Sequence, residues 1–195
     1  MKRWVVVMAR EPRLGRGKRR LAAEAGDLAA WRFARLNLRR LLRELGGDPR
    51  WELLVAVTPD RAAARGVPGW DLPLLPQGGG DLGARMGRVL RSLPPGPAVI
   101  LGSDVPGIGR AQVARAFAAL GRHDWVLGPS PDGGYWLIGA KRRPVIRPPF
   151  AGVRWSTGHA RADTLANLER QGATVEELEE LADVDTFEDL RRLRT

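Results

Sequence analysis

Four short segments of this 195-residue chain hold residue types that could do chemistry. The first, Arg10-Glu11-Pro12-Arg13-Leu14-Gly15-Arg16-Gly17-Lys18-Arg19-Arg20-Leu21, sets six basic side chains around two glycines. Guanidinium and ammonium groups beside glycine-exposed amides are how many loops hold phosphate oxygens. Two common phosphate loops are excluded. A Walker loop needs glycine five residues before its Gly-Lys-Ser/Thr, where this chain has Pro12, and Arg19 follows Lys18. The dinucleotide pattern fails because Arg20 stands where G-x-G-x-x-G needs its last glycine. A solvated basic turn explains the local sequence equally well.

The second segment, Gly102-Ser103-Asp104-Val105-Pro106-Gly107, puts a carboxylate just past the apolar run Ala98–Leu101. A carboxylate there is costly unless solvated, paired or metal-bound. Mg²⁺ or Mn²⁺ takes such oxygens and bridges them to phosphate; a helix cap or turn is the plainer alternative. In the third segment, Ser130-Pro131-Asp132-Gly133-Gly134, the glycines would let a ligand approach the backbone, although a simple Asp-Gly turn fits too. The fourth is Asp183-Val184-Asp185-Thr186. Thr186 and Asp189 form a capping pair for a final helix, which leaves Asp185 available to a metal.

Other candidates are weaker. His123 reads as a helix-end residue and His159 as a possible site-lining one, with no metal-ligand spacing between them. No serine sits in a nucleophile-elbow context and cysteine is absent, so covalent hydrolase chemistry has little support. Arg32, Arg35, Arg39 and Arg43 form a stripe along one helix face, which could meet RNA phosphates. No aromatic–basic interleaving accompanies it, and a solvated face is the simpler reading.

Composition fits a globular chain, with 44% hydrophobic and 28% charged residues. No apolar stretch reaches a membrane span, and the N-terminal apolar run is too short for a signal peptide. The lack of cysteine fits a reducing compartment, so a cytoplasmic location without membrane attachment is expected. The net charge of +10 is unevenly spread. Residues 1–50 hold 14 Lys/Arg against 5 Asp/Glu, whereas residues 163–195 hold 4 against 10. That asymmetry argues against a uniformly basic nucleic-acid coat and pairs a polyanion-binding half with a carboxylate-bearing half.

The elements that must position these segments alternate. Strands are expected over 3–9, 51–57, 72–75, 98–102, 125–128, 135–140 and near 173–178. Helices are expected over 28–45, 60–65, 82–93, 110–120, near 157–171 and from Thr186. The apolar stripe of the first long helix is read as Leu28, Trp31, Ala34, Leu38, Leu41, Leu42 and Leu45. This alternation implies an α/β fold with a mostly parallel sheet flanked by helices, spanning residues 1–195 as one domain. Residues 10–20, 77–85, 103–107 and 130–134 then fall at the carboxyl ends of strands or in nearby loops, where such sheets bind ligands.

The segments, in this order, resemble a family of small bacterial nucleotide-diphospho-sugar transferase-like proteins with the GT-A fold, whose members begin with a strand followed by K-A-P-x-P-G-x-x-K-T-R-L. Pro12, Gly15, Lys18, Arg20 and Leu21 match; Arg10 replaces lysine, and Arg19 replaces the threonine. Further matches are Gln77 with Asp81-Leu82-Gly83 and Arg85-Met86, then Gly102-Ser103-Asp104-x-Pro106-Gly107. Asp132-Gly133-Gly134-Tyr135, Trp155-Ser156-Thr157 and Asp183-Val184-Asp185-Thr186 complete the series. The first and last motifs are also similar to guanylyltransferases that activate 2-phospho-lactate.

The resemblance implies a Rossmann-like nucleotide-binding sheet and Mg²⁺ or Mn²⁺ on Asp104 and Asp185. It implies nucleotide or phosphate contacts from Ala9, Arg10, Gly15, Lys18, Arg20, Gln77, Asp81, Arg85 and Ser103. Lys18 would also act catalytically on the departing phosphate, and Asp132 would face the acceptor as its base. The expected activity is sugar transfer from a nucleotide-diphospho-sugar to a small acceptor. The alternatives are nucleotidyl transfer from a nucleoside triphosphate to a phosphorylated small molecule, and a basic RNA-binding protein.

Overall fold

The computed structural model describes residues 1–142, 147–184 and 186–192. The sequence Trp-Val-Val-Val-Met-Ala-Arg forms β1 (Trp4–Arg10), and its apolar run is divided between two layers. Val5 and Val7 face one layer and Val6 faces the other, because successive strand side chains point to opposite faces. Strand β1 is an interior strand of a sheet with β2 (Glu52–Thr58), β3 (Leu74–Pro76), β4 (Ala98–Gly102), β5 (Trp125–Pro129), β6 (Tyr135–Ala140) and β7 (Val175–Glu177). The order of the seven strands is β3-β2-β1-β4-β6-β5-β7.

Register is parallel from Val5 to Leu53 and to Val99. β3 joins β2 in parallel and β7 joins β5 in parallel. Among the described strands only β6 runs backwards, antiparallel to β4 and β5. The mostly parallel α/β sheet expected from the sequence is therefore observed, with one reversed strand inside it.

Helices cover both faces. On one lie α2 (Asp27–Leu45) and α5 (Arg110–Ala119), which bury Leu38, Leu41, Leu45, Val113 and Phe117 against β1, β2 and β4. On the other are α4 (Leu82–Ser92) and α6 (Ala160–Arg170), contributing Met86, Val89, Leu90 and Leu168. Each such side chain, fully buried, supplies roughly 1.5–3 kcal/mol. Short helices α3 (Arg61–Arg65) and α7 (Phe187–Arg192) complete the layers. Among the described residues no helix is long and apolar enough to cross a membrane.

Two expectations need correction. Residues 19–25, left without an element in the sequence, form α1 (Arg19–Ala25), entered from Lys18 in the left-handed conformation with φ 45°. Leu28, expected inward, is 50% exposed, and Asn37 is buried instead. At 100° per residue Leu28 points roughly 80° away from Leu38, beyond the buried arc that Ala30, Asn37, Leu41 and Leu45 define.

Candidate active site

The chain runs from β1 outward through β2 to β3, then returns to place β4 on the other side of β1. Such a reversal opens a crevice beyond the carboxyl ends of β1 and β4. Two adjoining compartments occupy it, and both are lined by Met8, Leu82, Ser103 and Asp104. The first, of about 280 Å³, adds Ala9, Arg10, Arg16, Lys18, Gln77 and Arg85. The second, of about 630 Å³, adds Arg20, Ser130, Asp132, Tyr135, Trp155 and Asp183.

The loop between β1 and α1 is folded by positive φ at Gly15 (72°), Gly17 (86°) and Lys18 (45°). Glycine takes that conformation without strain; lysine does not. Lys18 is held by its own contacts. Its side chain is 6% exposed, with Nζ 3.0 Å from Asp104 Oδ2 and donating to the Val184 carbonyl at 2.7 Å. Ser103 Oγ donates to Asp104 Oδ1 at 3.2 Å. The main chain at Asp104 is fixed too: its carbonyl accepts from Val184 N at 3.2 Å. One step back, buried Asn37 donates through Nδ2 to the Ser103 carbonyl at 2.8 Å. The base of the loop carries a second clamp. Burial would raise the Glu11 carboxyl, but hydrogen bonds from Arg65 and Arg13 outweigh it and hold the carboxyl below its ordinary value.

Gln77 is 4% exposed and donates both amide hydrogens to main chain, to Ala9 O at 3.1 Å and Ala56 O at 2.7 Å. Its carbonyl oxygen is the group left for a ligand. Arg85 Nε donates to the Gly80 carbonyl at 2.9 Å, and Asp81 caps α4 by accepting from Ala84 N at 2.8 Å.

In the second compartment the turn between β5 and β6 presents Asp132, whose Oδ1 accepts from Gly134 N at 2.9 Å. The glycine that follows Asp132 is required: a Cβ on Gly133 would stand 2.2 Å from the Gly158 carbonyl oxygen. Opposite lies the 155–158 segment. It is tied to α6 by Arg154, which donates through N, Nε and Nη2 to the Asp163 carboxylate at 2.8–3.0 Å. Those bonds from Arg154 hold the Asp163 carboxyl far below the usual carboxylate range. Burial pushes the Tyr135 phenol up, so it lines this compartment as a neutral hydroxyl, beside the Trp155 ring.

With this geometry in view, comparison with known proteins is informative. Residues 41–157 match the family described as "Uncharacterized protein conserved in bacteria (DUF2064)". The 2-phospho-L-lactate guanylyltransferase of Methanopyrus kandleri is 32% identical over 179 residues, spanning 90% of this chain and 84% of that protein.

The chain belongs to the DUF2064 family.

A crystal structure from Desulfovibrio desulfuricans G20, named provisionally as a nucleotide-diphospho-sugar transferase, superposes on this DUF2064 chain with TM-score 0.89. The two share 27% identity over 99% of this chain and 87% of the other. Rv0371c of Mycobacterium tuberculosis H37Rv, solved with manganese, shares the fold at TM-score 0.50 and 20% identity, over 98% and 97% of the two chains. The DUF2064 chain is a transferase, of the kind that handles nucleotidyl groups or nucleotide sugars.

The fold distributes the expected site residues unevenly. Ala9, Arg10, Lys18, Gln77, Arg85, Ser103 and Asp104 line the first compartment, and Arg20 and Asp132 the second. Gly15 shapes the loop and Asp81 caps a helix, and neither is a lining residue. Asp185 lies outside the described residues. His159 is exposed at the start of α6 and lines neither compartment, and His123 sits beyond α5, 3.3 Å from Glu176.

Sequence reasoning gave no role to Asn37, Ser130 or Asp183, although the last two lie in segments singled out for chemistry. An amide within an otherwise apolar helical stripe was the available signal for Asn37. Two carboxylates of the second compartment have the chemistry a divalent cation takes. Asp104 and Asp183 offer hard oxygens to one compartment, and such ions usually keep water and take substrate phosphates as remaining ligands. Among the described residues no three acidic or histidine side chains form a closed metal cage.

Proposed function

We propose that this chain, acting as one domain over residues 1–195, is a metal-dependent nucleotidyltransferase that joins a nucleoside triphosphate to a small phosphorylated acceptor. The observation that carries the reading is the Lys18–Asp104 pair at 3.0 Å, at the junction of the two compartments. A phosphate bridging those compartments would meet an ammonium group and a metal-binding carboxylate at once. Four cations, Arg10, Arg16, Lys18 and Arg85, line the first compartment, which suits a triphosphate better than a less charged diphosphate ester. The guanylyltransferase relative points the same way.

In this mechanism the base lies against Ala9 and Gln77, whose free carbonyl oxygen accepts from a base amino or imino group. Arg10, Arg16 and the loop amides hold the β- and γ-phosphates. An oxygen of the acceptor phosphate attacks the α-phosphorus, forming a P–O–P link as the α–β bridging bond breaks and pyrophosphate leaves. Lys18 stabilises charge growing on the leaving oxygens. Mg²⁺ or Mn²⁺ on Asp104 and Asp183, with Asp185 as a further candidate ligand, supplies Lewis-acid neutralisation of the phosphates when bound. A phosphate nucleophile needs no base, so Asp132 positions the acceptor through its non-reacting groups.

Sugar transfer from a nucleotide-diphospho-sugar is the second reading, favoured by the likeness to the Desulfovibrio structure. There Asp132 would take the proton of an acceptor hydroxyl. Incubation with each nucleoside triphosphate, Mg²⁺ and 2-phospho-lactate or related acids should release pyrophosphate with acceptor-dependent kinetics. Release of nucleoside diphosphate from a sugar nucleotide, with no pyrophosphate from any triphosphate, would overturn the first reading in favour of the second.

A further inference from the structure

Behind the phosphate loop, on the side away from Asp104, lies a third cavity of about 490 Å³. Glu11 and Pro12 form part of its wall and also line the nucleotide compartment, so the loop separates the two. Its other walls are Trp31, Arg35 and Arg39 of α2, facing Trp70 on the segment after α3. The arginine stripe read from the sequence as lacking aromatic partners thus acquires two in the fold.

The cavity is a built one. The Trp31 indole N–H donates to the Pro12 carbonyl at 3.4 Å, and the Arg35 guanidinium lies 5.2 Å from the Trp31 ring centroid. Glu11 is neutralised by ion pairs to Arg13 at 2.9 Å and Arg65 at 2.5 Å. Among the described residues no carboxylate pairs with Arg35 or Arg39. Two indoles and two guanidiniums without a carboxylate partner, with the nearby acid already paired, suit a planar ring bearing negative charge.

We propose that this cavity is a second, non-catalytic site for an anionic aromatic small molecule of the mononucleotide class. The ring would lie against Trp31 and Trp70, with the anion on Arg35 and Arg39. The volume accommodates one such molecule, which distinguishes it from a track for a nucleic-acid strand. The inference is independent of which transfer reaction the main site performs.

The test follows indole N–H signals in ¹⁵N-labelled protein, with Trp31 and Trp70 assigned from Trp31→Phe and Trp70→Phe. Adenosine monophosphate should shift both signals saturably, and at least ten-fold more tightly than adenosine or inorganic phosphate alone. The double variant Arg35→Gln/Arg39→Gln, with an unchanged melting temperature because both side chains are exposed, should weaken binding at least ten-fold. Trp70→Leu should do the same, and a non-hydrolysable guanosine triphosphate should not displace the probe. Any of four results overturns the proposal: static indole signals, unchanged affinity in the double variant, displacement by the triphosphate analogue, or a short single-stranded oligonucleotide binding over ten-fold more tightly than the mononucleotide.

Discussion

The two compartments that meet at Asp104 are built from different materials. The first draws on a glycine-folded loop, cations and main-chain groups, while the second draws on hydroxyls, aromatic rings and carboxylates carried by two short connections. Cations and amides recognise what all nucleotides share. Hydroxyls and rings in fixed places recognise what distinguishes one acceptor from another. The first half is therefore suited to hold a common reactant, and the second to select a particular one.

Substitutions test that division, and the largest effect should come where the halves meet. Asp104→Asn keeps shape and removes charge, so we expect about a 10³-fold loss in kcat/KM, near 4 kcal/mol, with an unchanged circular dichroism spectrum. A variant retaining metal-dependent turnover would remove Asp104 as a metal ligand. Next comes Lys18→Ala, expected to slow turnover about a hundred-fold and to weaken triphosphate binding by calorimetry while acceptor affinity stays level.

Asp132→Asn should do the reverse, raising the acceptor KM about ten-fold and leaving the triphosphate Kd within two-fold. Turnover slowed by about a hundred-fold or more would instead mark Asp132 as a proton acceptor and favour glycosyl transfer. Smallest is Asp163→Asn, which loosens the 155–158 segment and should raise the acceptor KM only a few-fold. That variant also has a pH signature. The Asp163 carboxyl lies far below its unfolded value of about 3.9, so its ion pair contributes stability above that pH and loses it as acid is added. Melting temperature should therefore fall less steeply below pH 4 in Asp163→Asn than in the parent. Asp48, pulled down to about 2 by Arg50, adds an acid loss common to both proteins.

Much of the frame was legible because apolar runs and glycine–proline stops agree with the final elements; β4 and β6 begin and end where periodicity places them. The reversal of β6 was not legible. Its apolar run reads like its neighbours', and direction depends on connections that composition does not encode. Helix α1 was hidden for another reason: its seven residues, RRLAAEA, are too few to show a stripe, and their basic start blends with the loop. On the site, motif order brought Lys18 and Asp104 to one crevice but did not reveal that they pair directly. Nor did it separate residues that meet the cavity from those that support it. Gln77 ties β1 to β2, and Asp81 ends as a helix cap, roles decided by partners distant in sequence or by the local turn.

The backward course of β6 bears on how such a chain could be retargeted. Because β5 and β6 are antiparallel neighbours, both ends of the five-residue connection 130–134 are pinned at the same edge of the sheet. Elsewhere, parallel strands are joined through whole helices, which can absorb inserted residues at the surface. Residues added at 130–134 would lengthen a connection that lines the second compartment through Ser130, Asp132 and Gly134. For a designer, this connection is the economical place to alter acceptor preference, and libraries confined to it should leave nucleotide handling untouched.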